Sequence, residues 1–206
     1  MLFHRMTLGS MTVNCYIAAD EETRAAVLFD APDEAEKIIE YLDENGLKLR
    51  TVFLTHAHFD HMGALDSLIR ATGAKLALHE ADVKYLNNPS LNLSGMMGIS
   101  FSEFHADFTV SHGDVIREDG ISIRVIHTPG HTEGSVCYLL GDILVSGDTL
   151  FHHSVGRADF PLGSFDDEIK YIKERLMVLD DCVKVYPGHG FSTTIGRERK
   201  ENPYLL

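Results

Sequence analysis

Between Thr55 and Gly63 the chain reads Thr-His-Ala-His-Phe-Asp-His-Met-Gly, so three imidazoles and one carboxylate fall at positions 56, 58, 60 and 61. The run before it, Leu49–Leu54, is rich in β-branched and aromatic residues and reads as a buried strand, and Ala64–Ala71 after it reads as a helix. The polar cluster is therefore a loop just past a strand end. Packing gains nothing from grouping four polar side chains beside a buried strand, because each must be desolvated. Ligand binding does gain from it: imidazole nitrogens and a carboxylate oxygen suit zinc, iron or manganese. Adjacent residues such as Asp60 and His61 ordinarily point in different directions, so one ion does not take all four donors. The density points to two.

The same arrangement of strand, Gly-marked turn and donor recurs three times downstream. His131 follows Ile121–Ile126 in Thr-Pro-Gly-His-Thr, Asp148 follows Ile143–Val145 in Ser-Gly-Asp-Thr-Leu, and His189 follows Val183–Tyr186 in Tyr-Pro-Gly-His-Gly. The other histidines are scattered, and the pair His152 and His153 reads as loop surface.

Around these turns the chain alternates strands and helices. Leu2–Leu8, Val13–Ala19 and Ala25–Phe29 read as an antiparallel meander broken at Gly9-Ser10 and at the charged turn from Asp20. Asp33–Asn45 carries Ala35, Ile38, Ile39 and Leu42 at helical spacing, with Gly46 placed to end it. A short strand over Lys75–Leu78 and a short helix over Glu80–Leu86 follow. Residues 87 to 105 lose periodicity and read equally as a packed surface loop or as the wall of a pocket. A second β-rich block spans Asp107–Leu150, and a helix runs from Ser164 or Asp166 to Leu179 with Ile169, Ile172, Leu176 and Leu179 on one face. This order suggests two sheets between outer helices, in one domain over residues 1 to 206. A length of 206 residues with 44% hydrophobic content is enough for one such core.

The net charge of -13, from 18 basic and 31 acidic residues, disfavours nonspecific contact with nucleic acid or an anionic membrane. Cys15, Cys137 and Cys182 are odd in number and lie in apolar runs, which reads as three reduced core thiols. With no signal-like N-terminus and no run of membrane-spanning length, the expectation is a cytoplasmic protein, with a homo-oligomer left open.

The pattern His-x-His-x-Asp-His, followed by a distal His, a distal Asp and a last His, resembles that of the metallo-β-lactamase superfamily. The resemblance covers essentially the whole chain. It implies an α+β fold, a four-layer αββα sandwich with a metal site at the edge of the paired sheets. Through Ser146–Phe151 and Tyr186–Gly190 the chain is most similar to glyoxalase II-like hydrolases. That resemblance implies two divalent ions, zinc first with iron or manganese as alternatives. His56, His58 and His131 would hold one, Asp60, His61 and His189 the other, and Asp148 would bridge them. Asp60 and Asp148 would serve catalysis, and water would attack a thioester or related acyl ester of the hydroxyacylglutathione type.

Zinc β-lactamases of the best-known class carry Cys where Asp148 stands, which argues against that activity. The chain also departs from full-length glyoxalase II enzymes. It ends at Leu206 without their helical glutathione-binding extension, and it has Arg157 and Asp159 where they use Lys and Tyr. Phe191 replaces a Tyr two positions after the last ligand. Arg157, Asp159 and Phe191 are accordingly the expected substrate contacts, with Arg157 and Asp159 equally readable as an ion pair that fixes the loop. The stretch Gly156–Phe160 is similar to that of iron persulfide dioxygenases as well. The alternative function is therefore persulfide oxidation by one iron held by His56, His131 and Asp148.

Overall fold

The computed structural model describes residues 1 to 206. The first sheet has the order β1-β2-β3-β4-β5-β6, from β1 (Leu2–Leu8), β2 (Val13–Ala19), β3 (Ala25–Phe29), β4 (Lys48–Phe53), β5 (Lys75–His79) and β6 (Phe108–Val110). The second has the order β14-β13-β10-β9-β8-β7, from β7 (Val115–Glu118), β8 (Ile121–His127), β9 (Val136–Leu140), β10 (Ile143–Gly147), β13 (Lys184–Pro187) and β14 (Thr193–Thr194). A small hairpin of β11 (Leu150–Phe151) and β12 (Ser154–Val155) projects from the second. The helices are α1 (Ala35–Glu44), α2 (Leu65–Thr72), the single turn α3 (Ser94–Met97), α4 (Phe165–Tyr171) and α5 (Ile195–Glu201).

Two-residue periodicity explains the layering. Along β2, Cys15 and Ile17 join the cluster that packs on α1 and α2, while Tyr16 and Ala18 join the cluster between the sheets. In β3, Leu28 and Phe29 divide the same way. Every residue of β2 and β3 is buried, because both faces of the first sheet are covered. On the second sheet, Tyr138 and Val145 face inward, whereas Cys137 and Leu144 meet Ile172 and Leu176 beyond α4 and Ile195 of α5. The result is the αββα sandwich. No helix is long and apolar enough to cross a membrane.

Several expectations need adjustment. Cys182 is exposed, whereas Cys15 and Cys137 are buried; it lies in the turn before β13 rather than in the strand, so it has no core to enter. The helix expected to run to Leu179 is α-helical only to Tyr171, and its next turn widens so that Met177 N donates to Ile172 O at 2.9 Å. That wider turn still delivers Ile172 and Leu176 to the core. The helix α5 has no counterpart in the sequence reading; Thr194 caps it, accepting from Arg197 N at 3.2 Å.

A candidate metal centre at the ends of four strands

All seven predicted donors gather at one edge of the sandwich. His56 and His58 leave the end of β4, and Phe59–His61 forms a single 3-10 turn that swings Asp60 and His61 back over it. His131 follows β8, Asp148 directly follows β10, and His189 follows β13. The parallel pairing of β10 with β13, in which Gly147 stands opposite Pro187, brings the Asp148 and His189 turns side by side.

The donors fall into adjoining sets. His131 Nε2 lies 2.9 Å from His58 Nδ1 and 3.2 Å from His56 Nε2. Donors held about 2.0–2.1 Å from one ion in a tetrahedral arrangement stand about 3.3 Å apart, close to these separations, so the three nitrogens are placed to share a cation. His189 Nε2 stands 3.4 Å from Asp60 Oδ2, and His61 Nε2 stands 3.9 Å from the same oxygen. Asp148 reaches both sets, with Oδ1 3.4 Å from His61 Nε2 and Oδ2 3.8 Å from His131 Nε2 and 3.6 Å from His189 Nε2. His61 Nε2 and Asp148 Oδ1 are buried and lack any hydrogen-bond partner. Leaving such atoms unsatisfied is costly, so the donor set fits a pair of divalent ions. His58 Nε2, on the far side of its ring, is likewise unpartnered.

Protonation follows the charges around each donor. Burial, reinforced by the neighbouring rings, pushes His56 well below its ordinary value and His58 down to about 3, so both are neutral ligands at pH 7. Burial works in the same direction on His61, but Asp148, Asp30 and Asp60 outweigh it and raise that ring well above the usual histidine value. Burial opposes ionisation of Asp148, yet the adjacent His61 and His131 hold it below the ordinary carboxylate range.

Supporting carboxylates escaped the sequence reading. Asp30, just past β3, accepts from Thr55 N at 2.8 Å and Thr55 Oγ1 at 2.9 Å, and its Oδ2 lies 2.9 Å from His61 Nδ1. A carboxylate on the far nitrogen fixes the ring's tautomer and aim. Asp82 accepts from Ala57 N, Thr132 Oγ1 and Gly134 N at 3.1, 2.8 and 2.8 Å, tying the His56–His58 loop to the His131 loop. Glu168 of α4 accepts from His131 N at 2.5 Å, and His131 Nδ1 meets Arg157 O at 2.6 Å. Asn14 of β2 donates to Pro187 O at 3.0 Å and Gly190 O at 3.1 Å, bracketing His189.

Burial pushes Glu168 up to about 9 against its ordinary 4.5. The folded protein therefore binds this proton more tightly than the unfolded chain. The stability it contributes is complete below the ordinary carboxylate value and drains away as pH rises toward about 9. Glu168→Gln, which keeps an acceptor for His131 N, should flatten the fall in melting midpoint between about pH 5 and pH 9; an unchanged slope would show that Glu168 is ionised throughout.

The centre opens into a cavity of about 430 Å3 walled by Met11, Phe59, Leu93, Phe151, Val155 and Phe160, with Arg157 at its rim. Arg157 bonds Asp159 through Nε at 2.9 Å and Nη2 at 2.8 Å, with both side chains about two-thirds exposed (68% and 67%), and its guanidinium lies 4.5 Å from the Phe160 ring centre. Asp159 does not line this cavity. Phe191, 77% exposed, does not line it either. Ile99, Ser100, Phe101, Ser102 and Phe104 wall a second cavity, so this part of the 87–105 segment is a pocket wall.

The family model described as "Metallo-beta-lactamase superfamily" matches residues 8 to 189. The chain belongs to that superfamily. Among its relatives, hydroxyacylglutathione hydrolase GloC of Haemophilus influenzae is 33% identical, over 93% of this chain and 92% of that protein. Three solved structures carry the same fold. The BLEG-1 B3 metallo-beta-lactamase is 34% identical with a TM-score of 0.94, covering 99% of both chains. TTHA1623 in a di-iron-bound form is 33% identical with a TM-score of 0.86, covering 98% of this chain and 100% of that one. ETHE1 from Myxococcus xanthus is 32% identical with a TM-score of 0.83, covering 98% and 84%. This superfamily typically binds divalent metals, in keeping with the donor set.

Proposed function

We propose that the chain is a metal-dependent hydrolase that cleaves a thioester or related acyl ester with a water nucleophile. The observation that carries this reading is the convergence of all seven donors into two adjoining sets with Asp148 between them, at the floor of an apolar-walled cavity. His56, His58 and His131 would hold one divalent ion, and Asp60, His61 and His189 the other. Zinc is the first candidate, and the di-iron form of TTHA1623 keeps iron in view. Bound there, the ions would lower the pKa of a shared water toward about 7 and polarise the acyl carbonyl.

The chain's own residues supply the rest. Asp60 is held below its ordinary pKa: burial opposes this, but His61 and His189 prevail. It is thus anionic at neutral pH, with Oδ2 turned to His189 and Oδ1 free to accept a hydrogen bond from the attacking water. Phe59, Leu93 and Phe160 exclude bulk water from the acyl group. No thiol competes as nucleophile, because burial pushes Cys137 up to about 12 and Cys15 higher still, and Cys182 lies outside the cavity. Addition of water to the carbonyl and departure of the thiolate complete the reaction.

The relationship to GloC favours a thioester, and the match to BLEG-1 supports β-lactam hydrolysis as a second reading. The test is turnover by metal-replete protein of S-lactoylglutathione, a panel of other thioesters and lactones, and nitrocefin, with oxygen uptake on glutathione persulfide run alongside. Thioester hydrolysis without oxygen uptake is the expected result. Inactivity on every thioester and lactone would overturn the proposal, and oxygen uptake would transfer it to a mononuclear dioxygenase using His56, His131 and Asp148.

A further inference from the structure

The cavity of about 430 Å3 over the centre is bounded on one side by Met11, Phe59 and Asp60. The same three residues line a second cavity of about 460 Å3, between the β1–β2 turn and the segment before β6. Each volume falls within the range of small-molecule sites, roughly 300 to 1,000 Å3. Adjoining along these three residues, the two make up a trough past Asp60, with volume for an acyl group at the centre and a leaving arm beyond it.

The second half of the trough is polar in a one-sided way. Ser10, Ser67, Ser100 and Ser102 supply hydroxyls, and Asp33 and Asp66 supply carboxylates. No Lys, Arg or His lines it. Asp66 accepts from Ser102 Oγ at 3.0 Å and pairs with exposed Arg70, which stands outside the trough. Asp33 has only the Glu34 N–H, at 2.8 Å, and no basic partner. In the other half the one cation apart from the clustered histidines is Arg157, and its charge is already met by Asp159.

Resting on the hydrolase reading, we infer that this second cavity receives the leaving arm of the substrate, and that the arm is neutral or cationic and bears hydrogen-bonding groups. A polyanionic carrier is disfavoured, because its carboxylates or phosphates would meet Asp33 and Asp66 with no base to receive them. The overall charge of -13, which two bound divalent ions would leave at about -9, adds a long-range field of the same sign, which slows the approach of anions and favours that of cations. A single charge about 6 Å from Asp33 in well-solvated surroundings changes binding about threefold, and more where the walls exclude water.

The test compares butyryl thioesters that share one acyl group and differ only in the arm: thiocholine (cationic), N-acetylcysteamine (neutral) and 3-mercaptopropionate (anionic). Values of kcat/KM at low salt are normalised to each ester's rate of uncatalysed hydrolysis, for wild type and for the double variant Asp33→Asn, Asp66→Asn, with melting curves to establish that the variant is folded. The cationic ester should exceed the anionic one by about tenfold, and the ratio should fall at least about threefold in the variant. Equal or inverted preference, or a ratio the variant leaves unchanged, overturns the inference. Calorimetric binding of choline and of propionate to both proteins is measured alongside and needs no turnover. Absence of hydrolysis would refute the thioesterase reading, whereas tighter choline binding that depends on Asp33 and Asp66 would still support the trough's charge preference, and its absence would end it.

Discussion

Asp148→Ala is expected to abolish nearly all hydrolysis and to cost the protein much of both metals. This carboxylate is the donor that reaches imidazoles of both sets, 3.4 Å from His61 on one oxygen and 3.8 Å from His131 on the other. Its removal would take a ligand from each ion and leave two cations facing one another without their shared anion. His189→Ala, by contrast, removes one donor from the Asp60–His61 set alone and should retain approximately one metal per chain. Changes to groups that merely orient ligands cost about 10- to 100-fold, so loss of the shared carboxylate should exceed that range. Elemental analysis and kcat/KM on the two variants decide the matter. An Asp148→Ala protein that keeps two tightly held metals and hydrolyses within about tenfold of wild type would show that Asp148 does not bridge.

The second large effect is expected from a residue with no side chain. A methyl group on Gly188 would stand inside the contact distance of Asp148 Oδ1 and 2.6 Å from His61 Cε1. The Gly188 backbone is pinned, because it donates to Gly147 O and accepts from Asn14 N, and the far nitrogen of His61 is held by Asp30, so the strain falls on the two side chains. Gly188→Ala should therefore push Asp148 or His61 off position. A displacement near 1 Å costs about 100-fold in rate. Loss of activity and metal with a near-native melting profile in the presence of chelator is the expected signature. A Gly188→Ala protein with wild-type metal content and turnover would mean that the strand ends yield more readily than their hydrogen bonds suggest.

The parts of this site that could be read in advance are those written locally. Leu2–Leu8, Val13–Ala19 and Ala25–Phe29 match β1, β2 and β3 to the residue, because Gly9-Ser10 and the acidic turn from Asp20 bound them sharply. The seven donors were legible because four crowd into six positions and the other three each follow a strand at a glycine turn. Asp30, Asp82 and Glu168 had no such signature. Each is one carboxylate among 31 acidic residues, and its partners are backbone nitrogens, hydroxyls or a ring nitrogen far away in sequence. Faint signals existed for two of them. Asp30 is a charge within the otherwise apolar run Ala25–Ala31, and Glu168 stands one helical turn before Ile172 on the buried stripe. Phe191 and Asp159 show the converse limit, since proximity in sequence to a ligand or a loop motif did not place either side chain in the cavity.

The separation of the donors along the chain governs when the centre comes into being. His56 and His131 meet across 75 residues, and Asn14 reaches Pro187 across 173. Such closures cost chain entropy and are made only when the two sheets have already docked. Until then the 56–61 turn stands alone, and its four donors are divided between the two sets, so neither set is complete. An ion captured only by the finished cage would therefore prolong the life of the native state and leave the speed of its formation almost untouched, which refolding and unfolding rates with and without metal would test.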